Sequence, residues 1–240
     1  MSSSSTNFTS RAFIEGLDAT DPLASFRQEF VITDEDTCYL DGNSLGRLPL
    51  ATIGVVNDFL HNEWGAQMVS GWNSWIDEAQ STGDLIGRAT LGVEPGQMLA
   101  VDTTSVNFYQ LCHAAITARP GRHKVISDTA NFPTDRYILE GLCQELGCEL
   151  VLINDEDGEE YVTPEMLAPY LDDDVALVTF SVIQYRSGAL HDIARISQMT
   201  RDAGALCVWD ASHAVGVVPM QLDRDNAGLA IGCTYKYGNS

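Results

Sequence analysis

The chain is 240 residues long, room for one large domain or two modest ones at roughly 100–200 residues each. Its 45% hydrophobic and 20% charged residues are those of an ordinary globular protein and exclude a disordered or fibrous one. Lys and Arg number 13 against 34 Asp and Glu; the formal charge of −21 repels nucleic-acid phosphates and anionic lipid surfaces, so neither is expected as a partner.

Met1–Ser10 has neither the basic residues nor the apolar stretch of a secretory signal, and no apolar run reaches the ~20 residues that span a bilayer. A cytoplasmic location is therefore expected. Residues 1–97 read as an N-terminal arm, with helices at Ser10–Leu17, Thr52–Trp64 and Asp77–Leu91 around a turn-rich stretch at Asp41–Leu48. This arm is expected to pack on an α/β layer formed by the rest of the chain.

Residues 98–240 alternate short apolar runs with amphipathic stretches, the signature of βαβ units and a mostly parallel sheet. The strands are expected at Met98–Val101, Lys124–Ser127, Cys148–Ile153, Val175–Phe180, Ala205–Trp209 and Leu229–Cys233. Crossover helices are expected at Thr134–Leu146, Pro164–Leu171 and Ile193–Ala203, where apolar residues recur every three or four positions. Thr163 before Pro164 marks one helix start, and Gly147 and Gly204 mark two stops. The fold class is α/β, and such a sheet gathers its working loops at one edge. The acidic stretches Asp155–Glu160 and Asp172–Asp174 read as solvated loops. The six cysteines lack zinc-binding spacing and a disulfide pattern, so they read as reduced small hydrophobes and no metal is expected.

Three features carry chemistry. Asp210 closes the apolar strand Ala205–Trp209, and Lys236 follows in Gly232-Cys233-Thr234-Tyr235-Lys236-Tyr237. A carboxylate at a strand end and a desolvated lysine are what a pyridoxal phosphate enzyme needs: the amine condenses with the aldehyde, and the carboxylate holds the pyridinium nitrogen. His213 lies in the same polar insertion as Asp210; alone, the Asp reads equally as a helix cap and the His as a core residue. The run Asp102-Thr103-Thr104-Ser105 opens the apolar helical stretch Phe108–Ile116, so hydroxyls and free amides converge where an anion could sit, though alone it reads as an ordinary N-cap. Asn131-Phe132-Pro133-Thr134-Asp135 offers an aromatic that could stack on a planar ring and a carboxylate at a helix start; a core Phe and a capping Asp would read the same way.

Taken together these blocks resemble the kynureninase family, pyridoxal phosphate enzymes of the aspartate-aminotransferase fold type. Tyr39-Leu40-Asp41-Gly42-Asn43-Ser44-Leu45-Gly46 is similar to that family's N-terminal signature, and Asn131–Asp135, Trp209–Gly216 and Gly232–Tyr237 are similar to its cofactor blocks in order and spacing. The resemblance covers essentially the whole chain. It implies a three-layer αβα fold in which residues 98–240 are an incomplete cofactor-binding large domain. It implies phosphate contacts from Thr104, Ser105 and Tyr235, ring stacking by Phe132, polar contacts from Asp135 and His213, and a further cofactor-side hydroxyl at Ser181. Asp210 would take the pyridine nitrogen and Lys236 the aldehyde and the Cα proton, with Tyr235 as an added proton donor.

The implied reaction, in tryptophan catabolism, is hydrolysis of L-kynurenine, or its 3-hydroxy derivative, to anthranilate or 3-hydroxyanthranilate and L-alanine, in a homodimer. Trp72 and Trp75 could flank the substrate ring or serve as structural tryptophans. Where the family has Tyr-Lys-Tyr-Leu-Asn-Gly this chain reads Tyr235-Lys236-Tyr237-Gly238-Asn239-Ser240, and family members continue with a smaller C-terminal domain. A truncated chain is therefore expected, with an inactive fragment as one alternative. The other is a class V aminotransferase or cysteine desulfurase of the same fold type.

Overall fold

The computed structural model of the chain describes residues 8–154 and 161–240, so the expectation for Asp155–Glu160 lies outside the described residues. Five strands form one parallel sheet: β1 (Lys124–Asp128), β2 (Glu149–Ile153), β3 (Val175–Ser181), β4 (Leu206–Asp210) and β5 (Leu229–Ile231), in the order β2-β1-β3-β4-β5. Central β3 is buried at every position, as a parallel strand covered on both faces must be.

The pleat sorts neighbouring side chains into two cores. Ile126, Val178, Cys207 and Trp209 point to one face, where they meet Leu167 and Ile196; Val125, Leu177 and Val208 point to the other, where they meet Phe108, Cys112, Leu139 and Leu142. The helices that supply these partners are Thr104–Thr117 and Pro133–Leu146 on one face and Pro164–Leu167 and Ile193–Asp202 on the other. The arrangement is the expected α/β layering. Trp209, fully buried, keeps its indole N–H satisfied by Ser197 Oγ at 2.9 Å.

Local chemistry sets the ends of these helices. Thr103 and Thr163 accept from the amides of Val106 and Met166, Pro133 and Pro164 open their helices, and Gly147 stops one in the left-handed conformation at φ +68°. Asp172 and Asp174 are more than solvated loop residues: Asp172 pairs with Lys124, and Asp174 accepts from the His123 amide at 2.9 Å, tying the start of β1.

The structure departs from the sequence-based expectation in two places. Met98–Val101 is not a strand. Its backbone bonds instead to local partners, with Met98 O accepting from Gln80 Nε2, Ala100 N donating to Ala79 O and Val101 O accepting from Asn107 Nδ2. A cleft of about 840 Å³ lies between this segment and β5. β5 also ends at Ile231 rather than Cys233.

Residues 8–97 form helices at Arg11–Thr20, Leu50–Asp58 and Glu78–Ile86, the latter two continuing as wider π turns through Trp64 and Leu91. Among these described residues, Ile86, Leu91 and Val93 join the core. Helix Leu50–Asp58 has apolar residues all round yet buries none, with Val55 68% exposed, which is the sequence of a helix that needs covering. Among the described residues no helix is long and apolar enough to cross a membrane. All six cysteines are free, and burial pushes the thiols of Cys143 and Cys207 up to about 12, so they pack as neutral groups.

Arg122 joins these layers. Its Nη1 donates to Val175 O at 2.7 Å and to Ala203 O at 2.8 Å, satisfying the carbonyl at the start of β3 and one at the end of helix Ile193–Asp202. Arg122→Met leaves both carbonyls without this donor and is expected to cost about 1–3 kcal/mol, measured as a lower urea midpoint with unchanged slope.

Candidate active site

Parallel strands in register bring their C-terminal residues to one edge. Asp128 ends β1, Ser181 ends β3 and Asp210 ends β4, with Ser181 directly beside Asp210 in the ladder. All three are at most 4% exposed. Asp210 Oδ1 accepts from the Ser212 amide at 2.8 Å, which turns the chain sharply out of the sheet and places His213 over the edge.

Asp135 comes to the same place from the first turn of helix Pro133–Leu146, buried to 3% exposure. Its carboxyl is hydrogen-bonded to that of Asp210, and burial, followed by the charge of Asp210, pushes it up to about 9. The ammonium of Lys236 opposes this shift without cancelling it. Asp135 is thus a neutral acid at pH 7 that donates its proton to the Asp210 carboxylate. Its Oδ2 has no hydrogen-bond partner, nor does Ser212 Oγ.

Lys236 is 7% exposed. Its Nζ lies 2.7 Å from His213 Nε2 and 5.6 Å from the centre of the Phe132 ring. Burial, then the charge of Lys236, pulls His213 below its ordinary value, so the neutral imidazole accepts the Lys236 N–H. The Phe132 ring is 6.5 Å from that of His213 and is braced edge-on by Tyr185 at 5.2 Å.

A second group adjoins the first through the chain bond between Tyr235 and Lys236. Thr104, Ser105 and Tyr235 all line the 840 Å³ cleft. Thr103 caps the amide of Val106, and the first-turn amides of Thr104 and Ser105 precede the helix's own ladder. The residue before the cap, Asp102, adopts φ +45°, a left-handed conformation that Asp tolerates better than most residues outside glycine. Burial, then Cys233, raises the Tyr235 hydroxyl above its usual value, so it remains a proton donor at neutral pH.

The structure therefore brings Phe132, Asp135, Asp210, His213 and Lys236 into one cluster and Thr104, Ser105 and Tyr235 into the adjoining cleft. Ser181 is beside Asp210 in the ladder, but its hydroxyl is engaged by Asn131 Oδ1 at 2.9 Å, and Asn131 in turn donates to Ser127. Trp72 and Trp75 pack against each other on the arm with ring centres 6.2 Å apart; Trp72 is 60% exposed, and Trp75 bonds Glu63.

Asp128 and Gln184 are additions that the sequence reading does not contain. Gln184 Nε2 donates to Asp128 Oδ1 at 3.0 Å, and burial raises the Asp128 carboxyl to about 6. The amides of Ala130 and Asn131 also bond Asp128, so this carboxylate shapes the turn that carries Phe132 and Asp135. The signal that singles out Asp210, an acid closing an apolar strand, applies equally to Asp128.

The aminotransferase class-V family model matches residues 102–233. The chain is 37% identical over 239 residues to the kynureninase of Pseudomonas fluorescens, covering 96% of this chain and 55% of that protein. It is 37% identical to the kynureninase of Burkholderia pseudomallei strain 1106a, covering 93% and 53%. The chain thus spans about half the length of the curated relatives it matches. Among solved structures it is similar to a cysteine desulfurase from Thermococcus onnurineus (TM-score 0.70, 15% identity, 93% of this chain and 53% of that one). It is also similar to the cysteine desulfurase CsdA from Escherichia coli (TM-score 0.71, 15% identity, 90% and 55%). At that identity the likeness concerns the fold.

The Asp135 carboxyl gives a pH signature. Because its folded value is raised, the folded state holds this proton where the unfolded state has lost it, so its contribution to stability falls as pH rises from about 4 toward about 9. Asp135→Asn removes the proton while keeping a donor toward Asp210. Its melting temperature is expected to gain on the wild type across that window, read from unfolding curves at several pH values.

Proposed function

We propose that this chain, which belongs to the aminotransferase class-V family, binds pyridoxal 5′-phosphate and acts in the hydrolysis of L-kynurenine to anthranilate and L-alanine. The observation that carries this reading is a buried lysine amine and a buried strand-end carboxylate in one cluster: Lys236 and Asp210 are both nearly inaccessible and share the neighbours His213 and Asp135. The identity to kynureninases over almost the whole chain supports the choice of substrate. The desulfurases share only the fold at 15%.

The residues present fit the cofactor. Buried polar atoms at the sheet edge, among them Asp128 Oδ2, Asp135 Oδ2 and Ser212 Oγ, lack partners, as donors and acceptors prepared for a ligand would. Asp210 would hold the pyridine nitrogen, Phe132 would stack on the ring, and Thr104, Ser105 and Tyr235 would take the phosphate. The helix dipole and several neutral donors suit this last task in a chain of net charge −21. Ser181 would act through Asn131, which it already holds.

When bound, the cofactor supplies an aldehyde that condenses with amines and a ring that draws electrons from a bond to the substrate Cα. Lys236 would be the amine for that aldehyde and the base for the Cα proton; His213 Nε2, accepting its N–H, holds the amine in place. Asp210 would keep the pyridine nitrogen protonated, a charge-assisted bond worth roughly 1.5–3 kcal/mol. Tyr235, neutral at working pH, is placed to donate a proton. In this reading residues 98–240 carry the cofactor-binding domain and residues 1–97 the arm. The apolar surface left open on helix Leu50–Asp58 is covered by a second copy in a homodimer.

Mixing the protein with pyridoxal phosphate and trapping with borohydride is expected to label Lys236, located by peptide mapping. Lys236→Ala should abolish the label, and Asp210→Asn should weaken cofactor binding roughly ten- to a hundredfold. Anthranilate fluorescence from kynurenine, lost in Lys236→Ala, is the expected activity. Sulfide from cysteine without anthranilate would establish the desulfurase reading instead.

A further inference from the structure

The stretch Tyr39–Gly46 distinguishes the sequence, yet none of its side chains enters the chemistry above. Its geometry shows what it does. Asp41 O accepts from the amides of Ser44 at 3.0 Å and Leu45 at 3.1 Å, closing one tight turn. The Tyr39 hydroxyl stands 2.6 Å from Leu45 O and 3.2 Å from Asp41 O, and the Arg47 guanidinium lies over the Tyr39 ring at 5.1 Å. The turn is held by its own residues.

Its last residue meets the lysine segment. Gly46 N donates to Tyr235 O at 2.8 Å. A Cβ on Gly46 would stand 2.2 Å from Lys236 O and 2.4 Å from Asn239 Oδ1. No side chain fits there, because real Cβ contacts do not close below 3.0 Å and one of the obstacles is backbone. Gly46 is not among the positive-φ residues, so clearance rather than conformational freedom requires glycine at this position.

The lysine segment is itself closed by Asn239 N to Lys236 O at 3.1 Å and Ser240 N to Thr234 O at 3.2 Å. Thus the carbonyls of Tyr235 and Lys236 are engaged by Gly46 and Asn239, while the Lys236 side chain reaches His213 and Phe132.

The structure assigns to Gly46 a positioning role: the Tyr39–Gly46 turn is a rigid stop against the backbone of Lys236, and it fixes where the amine stands relative to His213 and Phe132. The assignment rests on the reading that Lys236 is the amine that meets the cofactor aldehyde. It gives the N-terminal signature a task in the site without requiring any of its side chains to touch a ligand.

Wild type, Gly46→Ala and Tyr39→Phe are compared by three measurements with pyridoxal phosphate: the rate of borohydride trapping at Lys236, the pH midpoint of the yellow lysine–cofactor chromophore, and an unfolding curve. Gly46→Ala is expected to trap about tenfold more slowly or worse, with a displaced pH midpoint, because the lysine backbone must retreat. Tyr39→Phe, which frees the turn without touching Gly46, should move both readouts in the same direction by less while its unfolding midpoint stays near wild type. If Gly46→Ala does not fold, Tyr39→Phe decides alone. Variants with wild-type trapping rate and pH midpoint overturn the positioning role and leave the proposed function standing. Failure of the wild type itself to trap cofactor at Lys236 overturns the functional reading, and this inference with it.

Discussion

A charge buried at the end of β4 governs this molecule. Asp210 is 4% exposed and cannot be kept ionised there without compensation, since a bare carboxylate in a protein interior costs several kcal/mol. The compensation has two parts: the Ser212 amide and the neutral acid Asp135. They arrive from different elements, so the turn after β4 and the start of helix Pro133–Leu146 must both be right for one carboxylate to be tolerable. A second strand-end acid, Asp128, braces the turn that delivers Asp135.

The excess of acid over base sharpens this arrangement. With so few cations in the chain, those that are buried or half-buried do specific work: Arg122 collects carbonyls from two elements, and Lys236 sits against His213 and Phe132. An anionic ligand is opposed by the global field, so its binding falls to short-range donors such as the amides and hydroxyls that open helix Thr104–Thr117.

Much of this is legible in the sequence because its signals are local. Apolar runs of strand length, Thr-Pro and Gly punctuation, and an acid closing a strand are all readable within a few residues, and β1 to β4 and their helices follow from them. Met98–Val101 misleads because a strand exists only with a partner, and its composition says nothing about whether one is adjacent. Asp135 is readable as a cofactor contact, but its neutrality depends on meeting Asp210, which no spacing reveals. The pairing of Asp128 with Gln184 joins the end of β1 to the loop after β3, far apart in sequence, and it escapes a sequence reading for the same reason.

The contact between Gly46 and the Lys236 carbonyl also bears on the order in which the chain assembles. It joins residues about 190 positions apart, and contacts of such long sequence separation form slowly because the intervening loop must first lose its freedom. The sheet can condense from neighbouring βα units well before the arm returns across it. The lysine is thus expected to be aligned after the sheet, and a chain in which only the sheet has formed carries its amine without that alignment.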